Sequence, residues 1–393
     1  MAPDEPVRRI EPPGFLHDPA LVPVLDALPH ARLVGGSVRD ALAGREVADV
    51  DLATPDAPEE VVAALRAAGL KSAPTGLKHG TVTAISAHRG FEVTTLRRDE
   101  ETDGRHATVA WTGDWREDAA RRDFTINAMS MRRDGAVFDY FGGIADLEAG
   151  RVRFVGDPAA RIAEDYLRVL RFFRFHARYA NGPPDPATLA ALRHGVPGLA
   201  QLSAERVWSE LKRILATPDP VGALALMAEL GVLQAALPEA TDVDRLRRLV
   251  GSGAPPDPLL RLAALAPSDP AALAERLRLS TAERETLEAL AGPAVPPASD
   301  DADLRRALAD TPADELIGRS WLAGSPPEIR SRLAALPRPR FTIQGRDALA
   351  LGVPPGPLVG ELVRAVRAWW MEGGCVASPA ECRAELARRV AAL

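Results

Sequence analysis

Residues 33–53 read LVGGSVRDALAGREVADVDLA, and the order of residue types in this stretch decides the fold. A β-prone apolar run meets Gly35 and Gly36, a short helical segment follows, and a second β-prone run carries Asp49 and Asp51. Residues two apart on a strand share a face, so the two carboxylates are predicted to converge on one site. A pair of hard cations bridging a triphosphate requires such convergence. Gly35 and Gly36 lack a Cβ and let backbone N–H groups approach phosphate oxygens, while Arg39 offers a planar fork of donors to the same anion. A GG pair or a DxD pair alone carries little information; joined as GGxxRDxxxGxxxxDxD they point to a phosphate cradle beside a metal site.

The surrounding chain, from about residue 31 to 149, mixes short β-rich runs (ARLVGG, ADVDLA, GTVTAI, FEVTTL, with RVRF just beyond) with one clear helix, PEEVVAALRAAG, ended by Gly69. This is an α+β unit. After Gly156 the strand signals vanish and helical periodicity takes over in PAARIAEDYLRVLRFFRFHARYA, AERVWSELKRIL, DPVGALALMAELGVL and PAALAERLRLS. Stretches rich in Pro, Gly and Asp, such as NGPPDP and GSGAPPDP, punctuate this all-α part as loops. No fixed-period repeat is present.

At 393 residues, with 46% hydrophobic and 26% charged residues, the chain is expected to form two or more globular domains. No apolar run is long enough to span a bilayer, and MAPDEPVRRIEPPGF has no signal-peptide core, so cytoplasmic residence without membrane association is expected. The two cysteines, Cys375 and Cys382, lack the further ligands of a zinc site and read as reduced bystanders. His17–Asp18 forms an HD dipeptide, but the other histidines, His79 and His106 among them, are not set out as phosphohydrolase ligands. The formal net charge of −6 argues against a uniformly nucleic-acid-binding surface, yet between Arg151 and Arg178 seven arginines face three acidic residues, a local charge of +4.

These motifs, in this order, resemble the class II tRNA nucleotidyltransferase and bacterial poly(A) polymerase family of the polymerase-β superfamily. The family's second signature, RRDFTINA, stands at Arg121 to Ala128. What the resemblance implies is that Arg122 and Asp123 contact the ribose and phosphates of the incoming nucleotide, and that Glu92 in FEVTTLR supplies a third carboxylate. FDYFGGIADLEAGRVRF resembles the family's hinge, with Asp139, Gly142, Gly143 and Asp146 in a glycine-flexed connection. Departures are small: Met131 follows RRDFTINAMS, and His106 replaces a second Arg in DGRHA. The implied architecture is an α+β nucleotidyltransferase head with a polymerase-β-like mixed sheet (1–149), then an all-α neck (150–215), body (216–320) and tail (321–393).

In RIAEDYLRVLRFFRFHARYA, Ile162, Tyr166, Val169 or Leu170, Phe173 and Ala177 recur at helical spacing and are expected to face the core. Asp165, Arg168, Arg171 and Arg174 follow at i, i+3 steps as a polar stripe. Stripes of charge are ordinarily solvated helix faces. The match to the family's EDxxRxxRxxR pattern implies instead that the Asp and first Arg read the base of the bound nucleotide. The chemistry suits that role. Cytosine and adenine share an amino donor beside an unprotonated ring nitrogen, whereas uracil and guanine present a carbonyl beside a ring N–H. An acceptor Asp165 and a donor Arg168 match the first pair and confront the second with like against like.

In AERVWSELKRIL, Glu210, Lys212 and Arg213 are implied to buttress the base-reading helix, with ordinary packing of Trp208 and Leu211 as the alternative. The tail, with Trp369 and Trp370, resembles the family's RNA-contacting region, although paired aromatics at a helix end are more often core. The implied activity is template-independent addition of CCA to tRNA from CTP and ATP, with magnesium ions on Asp49 and Asp51 activating the RNA 3′-hydroxyl and neutralising pyrophosphate. Poly(A) addition, or addition of only CC or only A, uses the same motifs. A non-catalytic RNA-binding relic of the fold is a third reading. No protein partner can be inferred from the sequence.

Overall fold

The computed structural model describes residues 5–76, 80–102, 107–266 and 269–393; His79 and His106 lie outside the described residues. Strand β1 (Arg8–Arg9) and helix α1 (Val22–Ala27) precede β2 (Arg32–Val34), which enters Gly35 at φ +65° and passes directly into α2 (Gly36–Leu42). A positive φ is open to glycine without steric cost, so the turn from strand to helix takes a single residue. Then come β3 (Asp51–Thr54), α3 (Pro58–Ala67), β4 (Lys71–Gly76), β5 (Thr81–Ser86), β6 (Arg89–Thr95), and the two-stranded pair β7 (Arg97–Thr102) and β8 (Ala107–Trp111). Helix α4 (Trp115–Ala120), β9 (Met129–Met131), β10 (Ala136–Asp139) and α5 (Gly143–Glu148) complete the α+β part.

Eight strands form one sheet in the order β1-β10-β9-β2-β3-β6-β5-β4. It is mixed, with β3 and β6 parallel and its other pairs antiparallel. One face buries Leu33, Leu52, Val82, Val93 and Met131 with Val24 and Leu28 from around α1 and Val61 and Leu65 of α3. Because side chains alternate along a strand, burial of Leu52 in that core sends Asp51 and Ala53 to the opposite face. The parallel register sets Asp51 of β3 directly beside Glu92 of β6.

The expected runs at ARLVGG, ADVDLA, GTVTAI and FEVTTL are strands, and PEEVVAALRA is helix α3, with Gly69 at φ +74° just past its end. Asp49 lies just before β3 rather than within it, and RVRF makes only an isolated bridge, Phe124 to Phe154. His17 ends a short 3-10 turn, Gly14–His17, ahead of α1.

The segment expected to flex is clamped instead. The Asp139 carboxylate accepts the N–H groups of Phe141 (3.1 Å), Gly143 (2.9 Å) and Ile144 (2.9 Å). Buried Asp146 accepts Thr125 Oγ1 at 2.7 Å and Arg153 Nε at 2.9 Å. Gly143 is needed for close approach, because a Cβ there would fall 2.2 Å from the Thr125 carbonyl oxygen.

Helices α6 (Pro158–Glu164), α7 (Leu167–Tyr179), α8 (Pro186–Gly195) and α9 (Ala204–Leu215) follow, and among the described residues helices alone continue to Pro379–Val390. None is long and apolar enough to cross a membrane. The chain divides into two compact units, Met1–Leu237 and Pro238–Leu393. In the first, Phe124 and Phe154 pack at 4.8 Å between ring centroids and Phe124 meets Phe175 of α7 edge-on at 5.1 Å. In the second, Trp370 is buried with Ile343, Val366 and Leu386, beside the free and buried Cys375 and Cys382. Trp370 is thus a core residue rather than a stacking platform for RNA.

Gly143→Ala is expected to lower stability by about 1–3 kcal/mol, the usual range for overpacking. Gly182→Ala, where a Cβ meets nothing within 4 Å, should stay near wild type in the same thermal-unfolding measurement.

Candidate active site

The sheet face that carries Asp51 opens on a cavity of about 450 Å³ within the first unit. Gly35, Gly36 and Arg39 line it from the strand–helix turn, Arg122, Asp123 and Asn127 from the RRDFTINA loop, and Asp165, Arg168 and Arg171 from the α6–α7 region. Nine of the residues predicted from the sequence meet here. Asp49 and Arg174 line an adjoining cavity of about 680 Å³, together with Arg45, Arg178, Arg213 and Thr217. The two cavities share Arg39 and Phe175. Glu92 lines neither but neighbours Asp51 across the parallel pair.

Asp51 sits among like charges. Partial burial raises its pKa above the ordinary carboxylate value, Glu92 raises it further, Arg122 opposes the shift and Asp49 adds to it. Carboxylates crowded without a compensating cation are the donor set that a hard divalent ion relieves. Among the described residues no three His, Cys, Asp or Glu side chains are gathered into a complete metal cage. Magnesium commonly takes only one or two protein carboxylates and completes its shell with substrate phosphates and water.

The anion-facing wall is built around Gly35. An added Cβ there would meet Arg122 Nη1 at 3.2 Å, so the missing side chain lets this guanidinium reach the turn. Arg122 Nη2 is held at 3.2 Å by Asp118, which also takes Arg121 Nε at 2.8 Å. Arg39 departs from its expected part. All three of its side-chain nitrogens are engaged, Nε and Nη2 with Asp40 (3.2 and 3.0 Å) and Nη1 with Asn127 (2.6 Å). Its guanidinium also lies 4.6 Å from the centre of the Tyr179 ring. Arg39 therefore braces the pocket and lends it charge rather than presenting an unengaged fork.

Asp123 is likewise committed to the protein. Its Oδ1 accepts the Phe124 N–H at 2.9 Å and Asn127 Nδ2 at 3.1 Å, and its Oδ2 accepts Arg171 Nε at 2.8 Å and Nη2 at 2.5 Å. Burial pushes its pKa up, but Arg171 and these donors hold it below the ordinary value. Arg171 is deprotected of water in turn, yet Asp123 outweighs the burial and raises its pKa. Arg174 faces Glu210 of α9, with Nε to Oε2 at 3.2 Å. Burial lowers its pKa to about 10, against the pull of Glu210. Of the residues expected to buttress the base-reading helix, Glu210 does contact it through Arg174, and Arg213 Nη1 lies 3.7 Å from Glu210 on its own helix.

The expected continuous helix through Asp165 is broken. Asp165 is extended, at φ −157° and ψ 108°, between α6 and α7. Its Oδ1 accepts the Leu167 N–H at 3.0 Å, a local side-chain-to-backbone bond of the kind that makes Asp favour helix ends over helix interiors. Its Oδ2 accepts Arg206 Nη2 of α9 at 2.7 Å. Arg168 Nη1 donates to the Arg161 carbonyl at 2.7 Å and to Glu164. The break turns Asp165 into the cavity, and Tyr166 packs over Gly198, where a Cβ would lie 2.1 Å from the ring. Ile162, Val169, Leu170 and Phe173 are buried as expected, while Tyr166 and Ala177 are half-buried. Asp40, Asn127, Tyr179 and Arg206 were not read from the sequence. Asn127 lies within RRDFTINA, and Arg206 stands one turn before Glu210 on the same face of α9, which were the available signals.

Comparison with known proteins identifies relatives over most of the chain. A family model described as the poly A polymerase head domain matches residues 31–153, and one described as a probable RNA and SrmB-binding site of polymerase A matches residues 183–243. The mitochondrial CCA tRNA nucleotidyltransferase 1 of Danio rerio is 37% identical over 371 residues, covering 86% of this chain and 83% of the relative. The chain belongs to the CCA-adding nucleotidyltransferase family. The CCA-adding enzyme of Geobacillus stearothermophilus is 32% identical over 358 residues, covering 86% of this chain and 87% of that protein. A crystal structure of the Bacillus stearothermophilus CCA-adding enzyme in complex with CTP superposes with a TM-score of 0.74 at 28% identity, covering 95% of this chain and 97% of that one. The mixed-sheet head and helical remainder are thus the architecture of CCA-adding enzymes.

Asp51→Asn is expected to raise the melting temperature of the unliganded protein at neutral pH by about 1–3 °C. A carboxyl whose pKa is raised on folding costs stability when ionised, and that cost fades as pH falls toward the ordinary carboxylate value. The difference between variant and wild type should therefore shrink on acidification. Added magnesium should stabilise the wild type and leave the variant less affected.

Proposed function

We propose that this protein adds C, C and A to the 3′ end of tRNA from CTP and ATP without a nucleic-acid template. The observation that carries the reading is the joining in one cavity of Asp51, the Gly35 turn and the Asp165–Arg168 pair. Acceptor and donor face a base edge at one end while a metal-binding carboxylate and a backbone cradle stand at the other. Asp165 and Arg168 select cytosine or adenine, and burying a mispaired edge against them disfavours uracil or guanine by up to about 10⁴–10⁵.

Asp49 and Asp51 would hold magnesium, which when bound would supply polarisation of the α-phosphate and activation of the RNA 3′-hydroxyl. Arg122 holds the triphosphate against Gly35 and Gly36, and Glu92 keeps negative charge next to Asp51, favouring a bound cation. Asp123, Arg171 and Arg39 position these groups. The adjoining cavity, with Arg45, Arg178 and Arg213 around Asp49, receives the RNA end, its cations meeting phosphates and its one carboxylate lying on the metal side. The local cluster outweighs the overall charge of −6 there.

The reading carries with it the division into head, neck, body and tail, with tRNA held by its acceptor stem along the helical part. It also carries cytoplasmic residence, although vertebrate members of the family are named mitochondrial. The intact Asp49 and Asp51 pair argues for an enzyme over an RNA-binding relic.

Asp49→Ala or Asp51→Ala should lower nucleotide addition by at least about 10³-fold, while tRNA retention on a filter changes by less than about threefold, because these side chains meet metal rather than RNA. Turnover near wild type in either variant would remove the metal assignment. Single-nucleotide gels with tRNA ending before CCA should show a three-nucleotide extension that stops. Long A-tails on generic RNA from ATP alone would replace the reading by poly(A) addition, and a product stopping at CC, or growing only from a CC end, by a partial activity.

A further inference from the structure

We infer that Arg206 is a specificity-determining positioning residue, which holds Asp165 away from Arg168 so that each presents its own half of the base-reading edge. The inference rests on the reading of Asp165 and Arg168 given above and concerns a residue outside that pair.

Asp165 and Arg168 are opposite charges three residues apart at the start of α7. Left to themselves, such neighbours bridge one another, and a mutual Asp165–Arg168 pair turns its acceptor and donor edges toward each other instead of toward a base. The protein pulls them apart. Asp165 Oδ2 bonds Arg206 Nη2 at 2.7 Å, and Arg168 Nη1 bonds Glu164 and the Arg161 carbonyl. Glu164 is itself fixed by Arg161 Nη1, at 2.8 Å to Oε1 and 2.6 Å to Oε2. Each member of the pair therefore leans on an outer partner of opposite charge.

The two supports differ in how firmly they stand. Glu164 ends α6, one turn from Arg168 along the chain, and buried Arg161 also donates to the Arg122 carbonyl at 2.8 Å. Arg206 comes from α9, 41 residues beyond Asp165, and lines the cavity itself. Its hold is a tertiary contact from a separate helix. Without it the Asp165 carboxylate is expected to swing toward Arg168, and both halves of the edge are lost together. With it, Oδ2 keeps a lone pair for an amino group of the base.

The test compares Arg206→Ala, Arg206→Lys, Asp165→Ala and the Arg206→Ala/Asp165→Ala double variant on full-length protein with tRNA lacking CCA. The ratio of kcat/KM for CTP to that for UTP is the readout. Arg206→Ala should lower this ratio at least tenfold, mainly through a raised KM for CTP, and Arg206→Lys should restore most of it. The double variant should be no less selective than Asp165→Ala, because Arg206 acts through Asp165. If Asp165→Ala relaxes selectivity and Arg206→Ala does not, the inference is wrong while the base-reading assignment stands. If Asp165→Ala leaves the ratio unchanged, the base-reading assignment itself falls. A raised KM for tRNA with an unchanged CTP-to-UTP ratio would make Arg206 a phosphate contact and overturn the inference. Should Arg206→Ala not fold, calorimetric binding of CTP and UTP to Arg206→Gln reads the same selectivity, and equal loss for both nucleotides would likewise overturn it.

Discussion

A closed circuit of hydrogen bonds around Arg39 is the constraint on which the site depends. Arg171 of α7 bonds Asp123, Asp123 bonds Asn127, Asn127 accepts Arg39, Arg39 bonds Asp40, and Asp40 accepts the Tyr179 hydroxyl at 2.5 Å, back on α7. The circuit grips α7 at two points eight residues apart, about two turns of helix. It thereby sets the distance from the base-reading end of α7 to the turn at Gly35 and the carboxylate at Asp51. Asp123 and Tyr179 are buried, and removing one partner from a buried charged pair costs about 3–5 kcal/mol. The circuit ties together the walls of one cavity, from the Gly35 turn to α7.

The charges are arranged by task. Carboxylates that need a cation, Asp49, Asp51 and Glu92, are left near one another, and the pKa of Asp51 rises as a result. Carboxylates that serve as braces are each matched with arginine: Asp118 with Arg121 and Arg122, Asp123 with Arg171, Glu210 with Arg174. Asp118 and Asp123 are held below the ordinary carboxylate range despite burial, because these cations outweigh it. The direction of the shift separates a carboxylate crowded by like charges from those matched with arginine.

Glycines divide in a similar way. Gly35 adopts a positive φ and leaves room for the Arg122 guanidinium, whereas Gly143 has no room for any side chain beneath Thr125. A GG pair in sequence does not distinguish a flexible joint from a tight packing contact. That is why the segment around Gly142 and Gly143 reads as a hinge but folds as a clamp, with Asp139 closing three backbone N–H groups.

Much of the site was legible because its chemistry is local. A strand entering two glycines, a carboxylate pair at i, i+2 and an arginine-rich helical stretch are short patterns whose backbone period places side chains on a face, and residues 33–53, 121–128 and 165–174 carry them. Alternation alone sends Asp51 opposite to Leu52. Tertiary structure decided what those faces meet. The break at Asp165 arises because its carboxylate bonds the Leu167 N–H and Arg206, a partner 41 residues away, and helical periodicity contains no term for either. The same holds for Arg39 and Asp123, typed by sequence as ligand contacts but engaged by Asn127, Asp40 and Arg171. Sequence by itself determined which chemical groups are present and, within β3, that Asp51 and Leu52 occupy opposite faces. Only the folded chain determined which are already satisfied by one another and which stand ready for a ligand, because a hydrogen bond depends on distance in space and not on separation along the chain.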